Sequence, residues 1–233
     1  MENMATQKYS QITLEEINTQ RNKENKMKGM KKVVMCVLML VLSITIFAQV
    51  TDDCPFGLRM GMSYDEVRKI DPSIEKVTDD AYVIHVVPYM DHDIEYYILI
   101  ISDNHGLCKI VASGNKIETS VYGYELKSKY TEFKDMLKNK YCPNYEFEEY
   151  DFLQYGSIWD EPRDFMMSLY KKERVMSSFI TSKSTTDNIN GISSILIDVQ
   201  VNSTTSGCMI LGYEFNNFGL YKTELDQKKT NKF

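Results

Sequence analysis

Ile94-Glu95-Tyr96-Tyr97-Ile98-Leu99-Ile100-Ile101-Ser102-Asp103-Asn104-His105-Gly106-Leu107-Cys108-Lys109-Ile110-Val111-Ala112 is the stretch that decides the fold. Its first part, Ile94 to Ile101, is β-branched and aromatic, as strands are. Both alternating sets, Tyr96, Ile98 and Ile100 against Tyr97, Leu99 and Ile101, are apolar, which marks a central strand covered at least in part on both sides. Asp103-Asn104-His105-Gly106 has turn chemistry, and Leu107 to Ala112 returns as the next strand. The stretch is therefore an antiparallel hairpin.

Upstream, Tyr82 to Val87 reads as a further strand, joined to the hairpin through the turn-like Met90-Asp91-His92-Asp93. The folded part opens at Phe56-Gly57-Leu58. Ser63-Tyr64-Asp65-Glu66 has the spacing of a capping box, in which the Ser63 hydroxyl and the Glu66 carboxylate each satisfy the other's backbone amide. A helix from Tyr64 to about Ile70 follows and stops before Pro72, because the residue preceding proline avoids the helical region.

Downstream the period changes. Leu126, Tyr130, Phe133, Leu137 and Tyr141 fall at steps of three or four and place one apolar stripe along a helix that ends at Cys142-Pro143. Lys127, Lys134 and Lys138 occupy another face, read as solvated rather than as a basic docking surface. Tyr145 to Tyr155 is extended, aromatic and acidic. Asp160 is placed to cap a helix with Pro162 in its first turn and Phe165, Met166 and Leu169 on its buried side. Strands follow at about Met176 to Thr181, Ile195 to Val201 and Cys208 to Phe215. The end of the chain is polar and expected to fray.

The order of elements describes two halves, αβββ over 54–118 and ααβββ over 119–216, with a polar tail over 217–233. Gly106 opens the third strand of one half and Gly207 that of the other. The fold class is α+β, an antiparallel sheet with helices packed on one face.

Ahead of these halves, Lys28, Lys31 and Lys32 precede an apolar run from Val33 through Phe47 that closes on Ala48. A basic flank, a short apolar core and a small exit residue describe a secretory signal, and the run is several residues short of the roughly 20 a spanning helix uses. Two fates fit the segment 27–48: cleavage after Ala48, or retention of 33–48 as a signal-anchor, since the polar leader 1–26 is long unless Met27 or Met30 is the true start. Either fate puts the domain outside the inner membrane, periplasmic or secreted, touching the membrane only through its N-terminal segment. The first 48 residues hold 4 of the 33 acidic and 7 of the 27 basic residues, so the remainder carries a net charge of −9. That field excludes nucleic acid as a partner, because nucleic-acid binding runs on phosphate neutralisation. Outside the apolar run stand Cys54, Cys108, Cys142 and Cys208, an even number that suits disulfides in an oxidising compartment, with the pairing left open. The alternative is that they are small buried apolar residues. No Cys-x-x-Cys, nucleophile elbow or phosphate-cradling loop is present, and no cofactor is implied.

Phe56-Gly57-Leu58-Arg59-Met60-Gly61-Met62-Ser63-Tyr64-Asp65-Glu66-Val67 resembles the opening of exported envelope domains related to the BamE/SmpA lipoproteins, in which a glycine and a capping residue precede a short helix and a three-stranded meander. Tandem copies of that unit are similar to the β-lactamase-inhibitor-protein fold, which implies a binding architecture. The chain lacks their lipid-attachment cysteine and is about twice as long, so a role in outer-membrane assembly is not implied. Tyr155 to Met167 is similar to a segment of uncharacterised exported bacterial proteins and implies no function.

Candidate chemistry is sparse. Asp91, His92 and Asp93, with His85 one hairpin away, are the one group with metal-donor chemistry, at nonspecific spacing in an ordinary turn. Glu146, Glu148, Glu149, Asp160 and Asp164, in the segment from Tyr145 to Asp164, are the carboxylates an extracytoplasmic hydrolase would use. Tyr155, Trp159, Asp160 and Arg163 form a candidate recognition patch, since aromatic and arginine side chains dominate interface hot spots. The favoured expectation is a non-enzymatic binding domain that meets another envelope protein or an extracytoplasmic ligand on its exposed sheet face or between its halves.

Overall fold

The computed structural model describes residues 54–184 and 188–230. The leader 1–26 and the segment 27–48, with both of its proposed fates, lie outside the described residues. The strands are β1 (Glu75–Lys76), β2 (Ala81–Ile84), β3 (Ile94–Ser102), β4 (Gly106–Gly114), β5 (Ile117–Glu118), β6 (Tyr145–Leu153), β7 (Arg174–Ser182), β8 (Ile192–Ser203) and β9 (Ser206–Phe215). The α-helices are α1 (Tyr64–Ile70), α2 (Tyr124–Tyr141), α3 (Phe165–Tyr170) and α4 (Phe218–Thr230). The fold is α+β, with one antiparallel sheet in the order β1-β2-β3-β4-β9-β8-β7-β6 and β5 pairing with β9.

The central pairing is β4 with β9, where Lys109 faces Glu214, Ile110 faces Tyr213 and Val111 faces Gly212. Strands β1–β4 thus form one flank of the sheet and β6–β9 the other. The two glycines that open the third strands are held by close approach. A Cβ on Gly106, whose φ is +65°, would lie 2.2 Å from the Gly61 carbonyl oxygen, and one on Gly207 would lie 2.8 Å from the Gln200 carbonyl oxygen.

Directly paired residues point to the same face of a sheet, which sorts the side chains into two layers. Tyr97, Leu99, Ile110, Leu211, Tyr213, Ile195, Ile197 and Ile180 form the buried layer beneath α2. The expected stripe of Leu126, Tyr130, Phe133, Leu137 and Tyr141 is buried in its entirety. The Tyr130 hydroxyl shares a hydrogen bond with the Ser178 hydroxyl, and the Tyr141 and Tyr145 rings meet edge to face at 5.6 Å. Each aromatic that deeply buried contributes about 1.5–3 kcal/mol from burial alone.

The capping box forms as read: Ser63 Oγ accepts from the Glu66 amide at 3.3 Å, and Glu66 Oε2 accepts from the Ser63 amide at 2.9 Å. Helix α1 ends at Ile70. The adjacent Asp71, 1 % exposed, accepts from the amides of Ser73, His85 and Val86 and from the Ser73 hydroxyl. That explains why β2 stops at Ile84 rather than at Val87. The His85 and Val86 amides donate to a carboxylate.

Three expectations need correction. The described part of the tail is helical over Phe218–Thr230 rather than frayed. Asn217 Nδ2 donates to the carbonyls of His105 and Leu107 at 2.8 and 3.0 Å, Tyr221 donates to the Asp80 carboxylate, and Asn104 donates to Glu224. Lys109 lies over the Phe218 ring on the face opposite Ile110, so α4 covers one end of the face that α2 leaves open. Asp160 caps no helix. Pro162 starts a 3₁₀ turn over Pro162–Asp164, and α3 begins only at Phe165, so Asp160 remains exposed in the loop. No disulfide joins Cys54, Cys108, Cys142 and Cys208. Extending the β4–β9 register sets Cys108 opposite Phe215, seven residues from Cys208, or roughly 23 Å at about 3.3 Å per residue. A disulfide needs Cα atoms within about 7 Å. Burial pushes the Cys108 thiol up to about 11 and raises that of Cys208.

Candidate functional site

The face opposite α2 carries Tyr96, Ile98, Val111, Ser113 and Ile210, brought side by side by the β3–β4 and β4–β9 registers. Beyond them the sheet forks. Strand β7 pairs with β6 from Arg174 to Ser182 but with β8 only from Ser177 onward, opposite Asp198. Past that point β8 continues through Val199 to Val201, still paired to β9, while α3 packs against both β7 and β8. A cavity of about 520 Å³ occupies the fork, floored by the apolar strand residues and walled by Leu169, Tyr170, Val175 and Gln200. Its size falls within the range of small-ligand sites, about 300–1,000 Å³.

Asp198 sits at the apex of the fork and lines the cavity. Burial pushes its carboxyl above the ordinary carboxylate value, countered only by the Val199 amide. Among the described residues no cation pairs with it. Arg174, on the same cavity, is held by Asp151 at 2.7 Å and donates to Ser168 at 3.2 Å. Lys172 lines the cavity from an exposed position with φ of 59°.

The residues singled out from sequence lie elsewhere. Tyr155 is 102 % and Ile158 75 % exposed at the tip of the β6–α3 loop. Trp159 is half-buried, its amide donating to Ser157 Oγ at 3.1 Å. Arg163 pairs locally with Glu161 at 2.8 Å, and none of Tyr155, Trp159, Asp160 and Arg163 lines the cavity. The carboxylates of the hydrolase alternative do not converge. Glu146 and Glu148 project from the open face of β6, whereas Glu149, paired in register with Ser178, projects from the α2 face, where Lys134 meets it at 2.8 Å. Asp160 is exposed and Asp164 half-buried in the loop.

Asp91, His92 and Asp93 do gather, with one donor atom of each within 4.8 Å of the others. One oxygen of each aspartate is already engaged: Asp91 Oδ1 accepts from the Asp93 amide at 2.9 Å, and Asp93 Oδ2 holds Lys129 at 3.1 Å. The His92 side chain is 92 % exposed, and His85 lies outside the group with Nδ1 3.5 Å from the Glu95 carbonyl. The group is a turn closed by hydrogen bonds and an ion pair.

Asp198 and Asp71 were missed in the sequence. The signal for Asp198 was a single carboxylate inside the apolar run Ile195 to Val201. For Asp71 only the Ser73 donors are local, and the amides of His85 and Val86, 14 and 15 residues away, left no signal. No family model, curated protein or solved structure matches the chain.

Proposed function

We propose that this protein is a non-enzymatic extracytoplasmic binding domain of the bacterial envelope that receives its ligand on the open sheet face, where strands of the two halves adjoin. The observation that carries this reading is the cavity at the β7–β8 fork, which exposes aliphatic side chains of β3, β4 and β9 beside a carboxylate that no cation among the described residues pairs with. The apolar run after Lys31 and Lys32 and the acidic charge of the remainder support export. The resemblance to tandem envelope units supports binding rather than catalysis, and the hydrolase alternative gains nothing from carboxylates that point to different faces.

Titration of the full-length protein with the neutral fluorophore N-phenyl-1-naphthylamine tests the site. Saturable emission is expected, and Ile210→Asp should abolish it while leaving the far-ultraviolet circular dichroism unchanged. Emission of the same amplitude and midpoint in a folded Ile210→Asp protein would remove the open face from consideration.

A further inference from the structure

We infer that the cavity at the fork binds an ammonium group carried on an aliphatic or aromatic body, with Asp198 as its counter-ion. The inference rests on the open-face reading and specifies the ligand chemistry for it. A half-buried carboxylate without a partner is disfavoured, and a protein ordinarily supplies the missing cation. Here it does not. Arg174 reaches the cavity wall but spends its guanidinium on Asp151 and Ser168, and Lys172 makes no ion pair with Asp198. The opening is therefore left for a cation from outside.

The surroundings select its form. Ile98, Val111 and Ile210 offer an apolar floor for the body that carries the charge, and the Tyr96 ring stands beside them with a face that attracts cations. The net charge of −9 beyond residue 48 draws cations toward the domain from a distance.

An ammonium group can arrive on a free organic amine or on a lysine side chain of a partner protein, and two probe sets separate these sources. The first is 2-phenylethylamine against its neutral counterpart 2-phenylethanol. The second is acetyl-Leu-Lys-Leu-amide against acetyl-Leu-Gln-Leu-amide. Binding is read from amide chemical shifts of the full-length protein at Tyr96–Ile98, Val111–Ser113, Asp198–Gln200 and Ile210. In at least one set the cationic member should bind about tenfold or more tightly than the neutral one, as charge-assisted hydrogen bonds do, and Asp198→Asn should reduce it to the neutral level. Equal binding of cationic and neutral members, or a preference that survives Asp198→Asn, overturns the ammonium assignment and leaves the open-face reading standing. Shifts from none of the four probes would remove both.

Discussion

Two aspartates show how environment sets the behaviour of one side chain. Burial would raise the Asp71 carboxyl, but hydrogen bonds from the Ser73 hydroxyl and the amides of His85, Val86 and Ser73 outweigh it and hold the group at about 2 against an ordinary 3.8. A depressed folded-state value stabilises the native state fully above the ordinary one, and that stabilisation is lost as pH falls from 3.8 toward 2. Asp71→Asn is therefore expected to lose about 2 kcal/mol at pH 7, with the deficit shrinking in urea titrations as pH is lowered through that window. A deficit independent of pH would show that the charge is not what Asp71 contributes. Asp198 has the opposite sign. Its value is raised by burial, so the native state gains most below the ordinary carboxylate range and loses that gain as pH rises through the folded value. Asp198→Asn should then raise the urea midpoint at pH 7, and the advantage should disappear in acid.

At the scale of elements, legibility followed the reach of the interactions. Helix α1 was readable from Ser63 and Glu66 because its cap closes within three residues, and α2 because its stripe repeats along one segment. Helix α4 was not, since what orders it is Asn217 bonding to carbonyls 110 and 112 positions away. Asn217→Ala is expected to cost about 1 kcal/mol and to lose amide-exchange protection in Phe218–Thr230 before the sheet does; unchanged protection would show that other contacts hold the helix. Strand β6 ends the sheet with one edge unclaimed by any described strand. Glu146, Glu148, Glu149 and Asp151 line it, so pairing with a second copy would oppose like charges, a common protection of edge strands. The double substitution of Glu146 and Glu148 by Val should produce concentration-dependent association in light scattering. A monomer at all concentrations would show that the acidic side chains are not what protects this edge.

At the scale of the molecule, the expected product in its native host is a chain beginning at Gln49. Intact-mass measurement checks this, and a full-length mass in the membrane fraction would establish the anchor instead. The sequence by itself determined the α+β class, the existence and faces of most elements and the capping box that begins α1. Each of these depends on side-chain period or on contacts a few residues apart. Only the tertiary structure decided that β4 pairs with β9, that β7 parts from β8 at Ser177, and that Asp198 stands at that fork with no cation among the described residues beside it. Period assigns a side chain to a face but says nothing of which strand lies beside it. That choice is made by burial and hydrogen bonding summed over the whole sheet, between residues as distant in sequence as Lys109 and Glu214.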